Sequence, residues 1–113
     1  MIRQGEIWLM PIPFPDQTGV KLRPALVISG PEQLQRDQDA LVMGITSRHD
    51  PPQPRLRLDN TVLADGTLHR PSMLMCGRVF TVNRSLFRIC IGTVQPDFLE
   101  QAFRALDSAL GRA

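Results

Sequence analysis

Proline and glycine placement limits what this chain can fold into. Ten prolines and eight glycines fall among 113 residues, and up to Pro96 they cut the apolar segments to lengths that suit strands better than helices. Glu6 to Met10 reads as a first strand, closed by Pro11 and Pro13, which cannot donate to a ladder. Phe14 to Leu22, with Pro15, Asp16 and Gly19, reads as a long loop. Pro24 to Ser29 is a continuous apolar run bounded by Gly30 and Pro31, as expected of a buried central strand. Leu41 to Thr46 is the next strand, and Ser47 to Asp50 leads into an extended Pro51 to Pro54 connection. Arg55 to Leu58 alternates polar and apolar, as a half-exposed strand does. A turn is expected at Asp65, Gly66 and Thr67, followed by strands over Ser72 to Thr81 and Leu86 to Gly92.

The period then changes. From Asp97, the residues Leu99, Ala102, Phe103, Leu106 and Leu110 follow helical spacing, with Pro96 in the first turn and Gly111 as the stop. About six short strands and a single closing helix predict an α+β class, mainly β, with a compact barrel or sandwich. There is no internal repeat or domain linker, and 12.7 kDa is enough for one modest core, so residues 1–113 are expected to form one domain.

Charge bears on function only weakly. Thirteen basic residues face eleven acidic ones, so a surface for a polyanion requires local clustering rather than a global field. No apolar run approaches membrane-spanning length, and Met1 to Glu6 lacks the layout of a signal peptide, so a cytoplasmic location and no membrane partner are expected. Cys76 and Cys90 belong to no zinc-type cluster and read as two small buried apolar residues, with neither disulfide nor metal expected. Trp8, within a strand, reads as core.

Several segments, taken in order, resemble the MazF/PemK/Kid family of toxins from type II toxin–antitoxin systems. They are Gly5-Glu6-Ile7-Trp8, Gly19 to Pro24, Ala25 to Ser29, Gly44 to Ser47, Arg70-Pro71-Ser72, Thr81 to Leu86 and Ile91-Gly92. The resemblance implies a small SH3-like β-barrel and a homodimer. It also implies metal-independent cleavage of single-stranded RNA, with no cofactor, by 2′-hydroxyl attack that leaves 2′,3′-cyclic phosphate and 5′-hydroxyl ends. A cognate antitoxin with an acidic C-terminal segment is the implied protein partner. The same barrel family includes the CcdB type, which acts on gyrase by protein binding, so a non-catalytic toxin or a cleavage-deficient relative is the alternative.

The resemblance assigns catalysis to Arg23 and Thr46. Pro24 holds Arg23 extended at the mouth of the central strand, and its guanidinium can offer paired donors to two phosphate oxygens. Thr46 ends the following strand, where a hydroxyl can orient phosphate or nucleophile. Thr18, Lys21, Ser47, Arg48 and Arg78 are the candidate RNA-binding residues, with Phe14 either stacking on a base or anchoring its loop. His49, beside Arg48, is the candidate acid or base, preferred to His69, although a solvated loop histidine is the favoured reading of each. One departure stands out. In the Kid/PemK branch an arginine and an aspartate flank the residue equivalent to Cys76, and here those places hold Met75 and Gly77.

Overall fold

The structure is a computed structural model that describes residues 1–12 and 21–112. Its strands are β1 (Glu6–Pro11), β2 (Leu22–Val27), β3 (Asp39–Thr46), β4 (Arg55–Leu58), β5 (Leu63–Gly66), β6 (Ser72–Asn83) and β7 (Ile89–Val94), with helices α1 (Pro31–Arg36) and α2 (Pro96–Ala109). The strands form one sheet in the order β4-β6-β3-β2-β1-β7-β5, with every pairing antiparallel.

The sheet is curled into the expected barrel-like form. All seven strands send a buried side chain into one cluster, including Leu58 from end strand β4 and Leu63 from end strand β5. Phe98 and Ala102 of α2 close that cluster. A second cluster lies on the other side of the central strands, where Met10, Ala25, Val27, Val42 and Val82 pack under Leu34 of α1. In β2, Leu26 points to the first cluster while Ala25 and Val27 belong to the second, so both faces of the strand are buried. This is why its sequence is apolar without alternation. Fully burying Leu26 removes a side chain worth about 2 kcal/mol from water.

Four sequence expectations need correction. α2 is not the only helix: Pro31, which reads as a strand stop, occupies the first position of α1, where a missing N–H is harmless. The segment around Asp65 and Gly66 is a strand, not only a turn, because Gly66 at φ 87° lies against the backbone of Ile91 and Gly92, where a Cβ would overlap. Cys90 is exposed, opposite Trp8 next to a bulge in the β1–β7 ladder, whereas Cys76 is buried as expected. Leu110 is 62% exposed, since α2 ends at Ala109 and Gly111, at φ 74°, turns the chain away. Trp8 is half-buried at the rim of the second cluster. Its ring meets Phe87 edge-on at 5.6 Å, and its Nε1 donates to Glu6 Oε1 at 3.0 Å.

Candidate active site

The site begins where a ladder stops. β2 and β3 pair through Ala25↔Gly44, one residue short of Pro24, where the missing N–H leaves no ladder bond unmade. Continuing that register would set Arg23 against Thr46, so the two residues face a gap where paired strands part. A depression of about 210 Å³ occupies this opening. Arg23, Thr46, Ser47, His69, Arg70 and Ser72 supply its polar lining, and Leu9, Leu22, Pro24, Ile45, Leu68 and Ile91 its apolar floor and walls.

Arg23 is half-buried, with its Nε shielded from solvent. Burial of the stem fixes where the charged head can point. Thr46 Oγ1 accepts a hydrogen bond from Arg48 N at 3.2 Å, which shapes the turn out of β3 while leaving the hydroxyl proton as a donor.

A loop from a distant part of the chain completes the wall. Thr67 N donates to Ile91 O at 3.1 Å, and Leu68 plugs into the first cluster at 7% exposure. The Asn60 amide grips Leu68 at two points: Leu68 N donates to Oδ1 at 2.7 Å, and Nδ2 donates to Leu68 O at 3.3 Å. Asn60 opens a short 3-10 turn (Asn60–Val62) capped by Asp59, which accepts from Thr61 N at 2.9 Å and from Arg57 Nε at 3.1 Å. The Thr61 hydroxyl and amide, then the Arg57 guanidinium, hold the Asp59 carboxyl below the usual carboxylate range. Past this anchor the chain presents His69 and Arg70 to solvent, and Ser72 Oγ donates to Arg70 O at 3.2 Å.

A second depression of about 440 Å³ adjoins the first and shares Ser47, Arg70 and Ser72 with it. It adds Arg48, His49 and Arg57. Together the two carry Arg23, Arg48, Arg57 and Arg70, and no Asp or Glu lines either among the described residues. With Arg57 paired to Asp59, the remaining positive groups still form a local cluster at this mouth of the kind that suits a polyanion.

The candidate residues separate in space. Arg23, Thr46 and Ser47 come together in the first depression, and Arg48 and His49 stand in the second. Lys21 is exposed and adjoins Leu22 of the first depression. Arg78 lies elsewhere, in a hollow of about 110 Å³ with Gln53, Met75 and Gly77. The β3–β6 register jumps from Met43↔Val79 to Gly44↔Met75, so Cys76, Gly77 and Arg78 bulge out of the ladder. Burial raises the Cys76 thiol to about 11. Thr18 and Phe14 lie outside the described residues.

Sequence reasoning ranked His69 second to His49 and passed over Arg70, Ser72 and Arg57 as site residues. For Arg70 a signal was present: Arg70-Pro71 repeats the Arg23-Pro24 pair, and the same backbone argument applies to it. Among the described residues no three His, Cys, Asp or Glu side chains gather into a set that could hold a metal ion, and no helix is long and apolar enough to cross a membrane.

A family model described as PemK-like, MazF-like toxin of type II toxin–antitoxin systems matches residues 3–110. The chain belongs to this toxin family. No curated protein matches the sequence. Among solved structures, the toxin is similar to an endoribonuclease in complex with its cognate antitoxin from a mycobacterial species. That likeness has a TM-score of 0.78 at 15% identity and covers 100% of this chain and 98% of the other. It is also similar to a MazE–MazF complex from Deinococcus radiodurans, with a TM-score of 0.77 at 20% identity and coverage of 99% and 98%. The Mycobacterium tuberculosis toxin MazF-mt6 gives a TM-score of 0.74 at 21% identity, with coverage of 96% and 98%. At these identities the likeness establishes the fold, which is the barrel with a C-terminal helix derived above.

Proposed function

We propose that this toxin is a metal-independent endoribonuclease that cleaves single-stranded RNA through 2′-hydroxyl attack on the adjacent phosphate. The observation that carries the reading is the meeting of Arg23, Thr46 and Arg70 around a depression that no carboxylate lines among the described residues, at the point where Pro24 ends the β2–β3 ladder. The endoribonuclease named among the similar structures supports it. Arg23 opposes the charge that develops on the phosphorane oxygens, as a preorganised cation in a partly desolvated site does. Thr46 donates its hydroxyl proton to a phosphate oxygen or the nucleophile. Arg48, Arg57 and Arg70 hold the flanking phosphates, with Lys21 and Ser47 at the rim.

Two partners follow from the same reading. A homodimer would join two such mouths into a longer RNA path. An antitoxin with an acidic C-terminal segment would lay its carboxylates on the arginines that otherwise hold phosphate, so antitoxin and RNA exclude one another. Such a complex weakens as salt rises.

The test is incubation of purified toxin with a long single-stranded RNA in EDTA, with end-group analysis. The expected result is a set of fragments with 2′,3′-cyclic phosphate and 5′-hydroxyl ends. Arg23→Ala should lower the rate a hundredfold or more with the fold intact, and Arg23→Lys should not fully restore it, because lysine keeps the charge without the planar fork. If Arg23→Ala cleaves as fast as the parent, the site is misassigned. RNA that is bound but left uncut identifies a cleavage-deficient toxin.

A further inference from the structure

The depression beside Pro24 needs a proton acceptor, and its lining offers one. Arginine stays protonated throughout the accessible range, and a serine or threonine hydroxyl is too weak a base at neutral pH. No carboxylate contributes among the described residues, which leaves the imidazole of His69. Histidine is also the residue type used most often for this work.

Its placement is built rather than incidental. The residue before it is a buried plug, and the one before that is tied to Ile91. The Asn60 amide grips Leu68 by both its N–H and its carbonyl. Pinning the preceding backbone at several points sets His69 at the rim of the opening that Arg23 and Thr46 share, so an exposed side chain is delivered to that opening by a fixed stem. His49, by contrast, stands in the adjoining depression, away from that pair.

We infer that His69 is the general base of the cleavage, a role that rests on the ribonuclease reading above. The imidazole takes the 2′-hydroxyl proton while an O2′ lone pair forms the bond to phosphorus. The P–O5′ bond breaks with its electron pair moving to O5′, which takes a proton from solvent water. The hydroxide so formed receives the imidazolium proton through solvent, and His69 returns to its starting state. Arg23 and Arg70, the charged groups that line the depression with it, hold the phosphate during transfer.

The parent, Arg23→Ala, His69→Ala and His69→Gln proteins are compared on one single-stranded RNA in EDTA, each after a thermal melt has confirmed folding. For both His69 variants kcat should fall by about 10²-fold or more while KM stays within about threefold. Added imidazole should recover part of the rate of His69→Ala but none of Arg23→Ala, since the free base can enter only the space the side chain vacated. His69→Gln fills that space without a basic nitrogen and should not be rescued. If the parent cleaves, Arg23→Ala is dead and His69→Ala cleaves like the parent, the base assignment fails and the ribonuclease reading stands. If KM rises, kcat holds and imidazole does nothing, His69 is an RNA contact and the inference is overturned. If the parent itself leaves RNA intact, the ribonuclease reading fails and takes the role of His69 with it.

Discussion

Removing the Asn60 amide should cost stability and activity together, by amounts that can be worked from two hydrogen bonds. In Asn60→Ala the N–H of Leu68, a residue only 7% exposed, loses an acceptor at 2.7 Å, and its carbonyl loses a weaker donor at 3.3 Å. A donor stranded at a buried residue costs about 2 kcal/mol, and the longer bond adds a few tenths. For a domain of 113 residues each kcal/mol shifts the melting temperature by about 4 °C, so a drop of about 8 °C is expected. Asn60→Asp keeps the acceptor for Leu68 N but sets a carboxylate oxygen against the Leu68 carbonyl, so it should recover only part of the loss. The functional reading is separate. Asn60 is a positioning residue, so Asn60→Ala should slow cleavage in the parent background and add almost nothing in a His69→Ala background, as two residues acting through one loop do. The stability loss should be the same in both backgrounds. Circular dichroism melts and single-turnover RNA cleavage measure the two effects. An Asn60→Ala protein that melts with the parent, or cleavage losses that simply multiply with those of His69→Ala, would refute this account of the loop.

Four other perturbations have defined outcomes. Gly77 has an ordinary φ, and a Cβ there meets Pro54 Cδ at 3.5 Å, so Gly77→Asp should change stability by less than about 0.5 kcal/mol in denaturant unfolding and show whether a carboxylate beside Arg78 speeds cleavage. Gly66→Ala, which needs a positive φ and collides with the Ile91 backbone, should cost about 3 kcal/mol in the same assay. In alkylation followed by mass spectrometry, Cys90 alone should react in the folded toxin. Its thiol is raised above the usual 9.0 mainly by desolvation, so the rate should still climb beyond that pH, while buried Cys76 reacts only on unfolding. Asp59 has a folded pKa below its unfolded one, so its stabilisation is complete above about pH 3.9 and is lost as pH falls through the folded value. Acid unfolding of Asp59→Asn should lack that part of the slope.

The parts of the fold legible in the sequence are those written in local patterns. The alternating Arg55–Leu58 strand, the apolar β2 run and the helical spacing that ends before Gly111 depend on neighbours a few residues apart. β2 itself sits two residues earlier than its apolar run suggests. Leu22 and Arg23 pair with Pro11 and Met10, whereas Ile28 and Ser29 leave the ladder and donate instead to Leu41 O. β5 was hidden because Asp65 and Gly66 are turn-forming residues, and their strand character comes from β7. The site divides in the same way. Arg23 and Thr46 lie at the ends of readable strands, but His69 and Arg70 reach them through Asn60, Leu68 and Ile91, contacts that no local period encodes.

Pro24 has a further consequence, concerning what the fold gives up. Antiparallel strands with complementary register tend to continue pairing, and β2 and β3 have the length to add the Arg23–Thr46 rung. Pro24, one rung earlier and opposite Ile45 in that register, acts as a zipper stop. Replacing Pro24 with alanine returns an N–H to the backbone and invites the strands to close over the opening, producing a protein that melts higher and works less. On the proposed ribonuclease reading, stability and activity are opposed at this single backbone atom, so a search for more stable variants of the toxin would tend to remove the residue that keeps its mouth open.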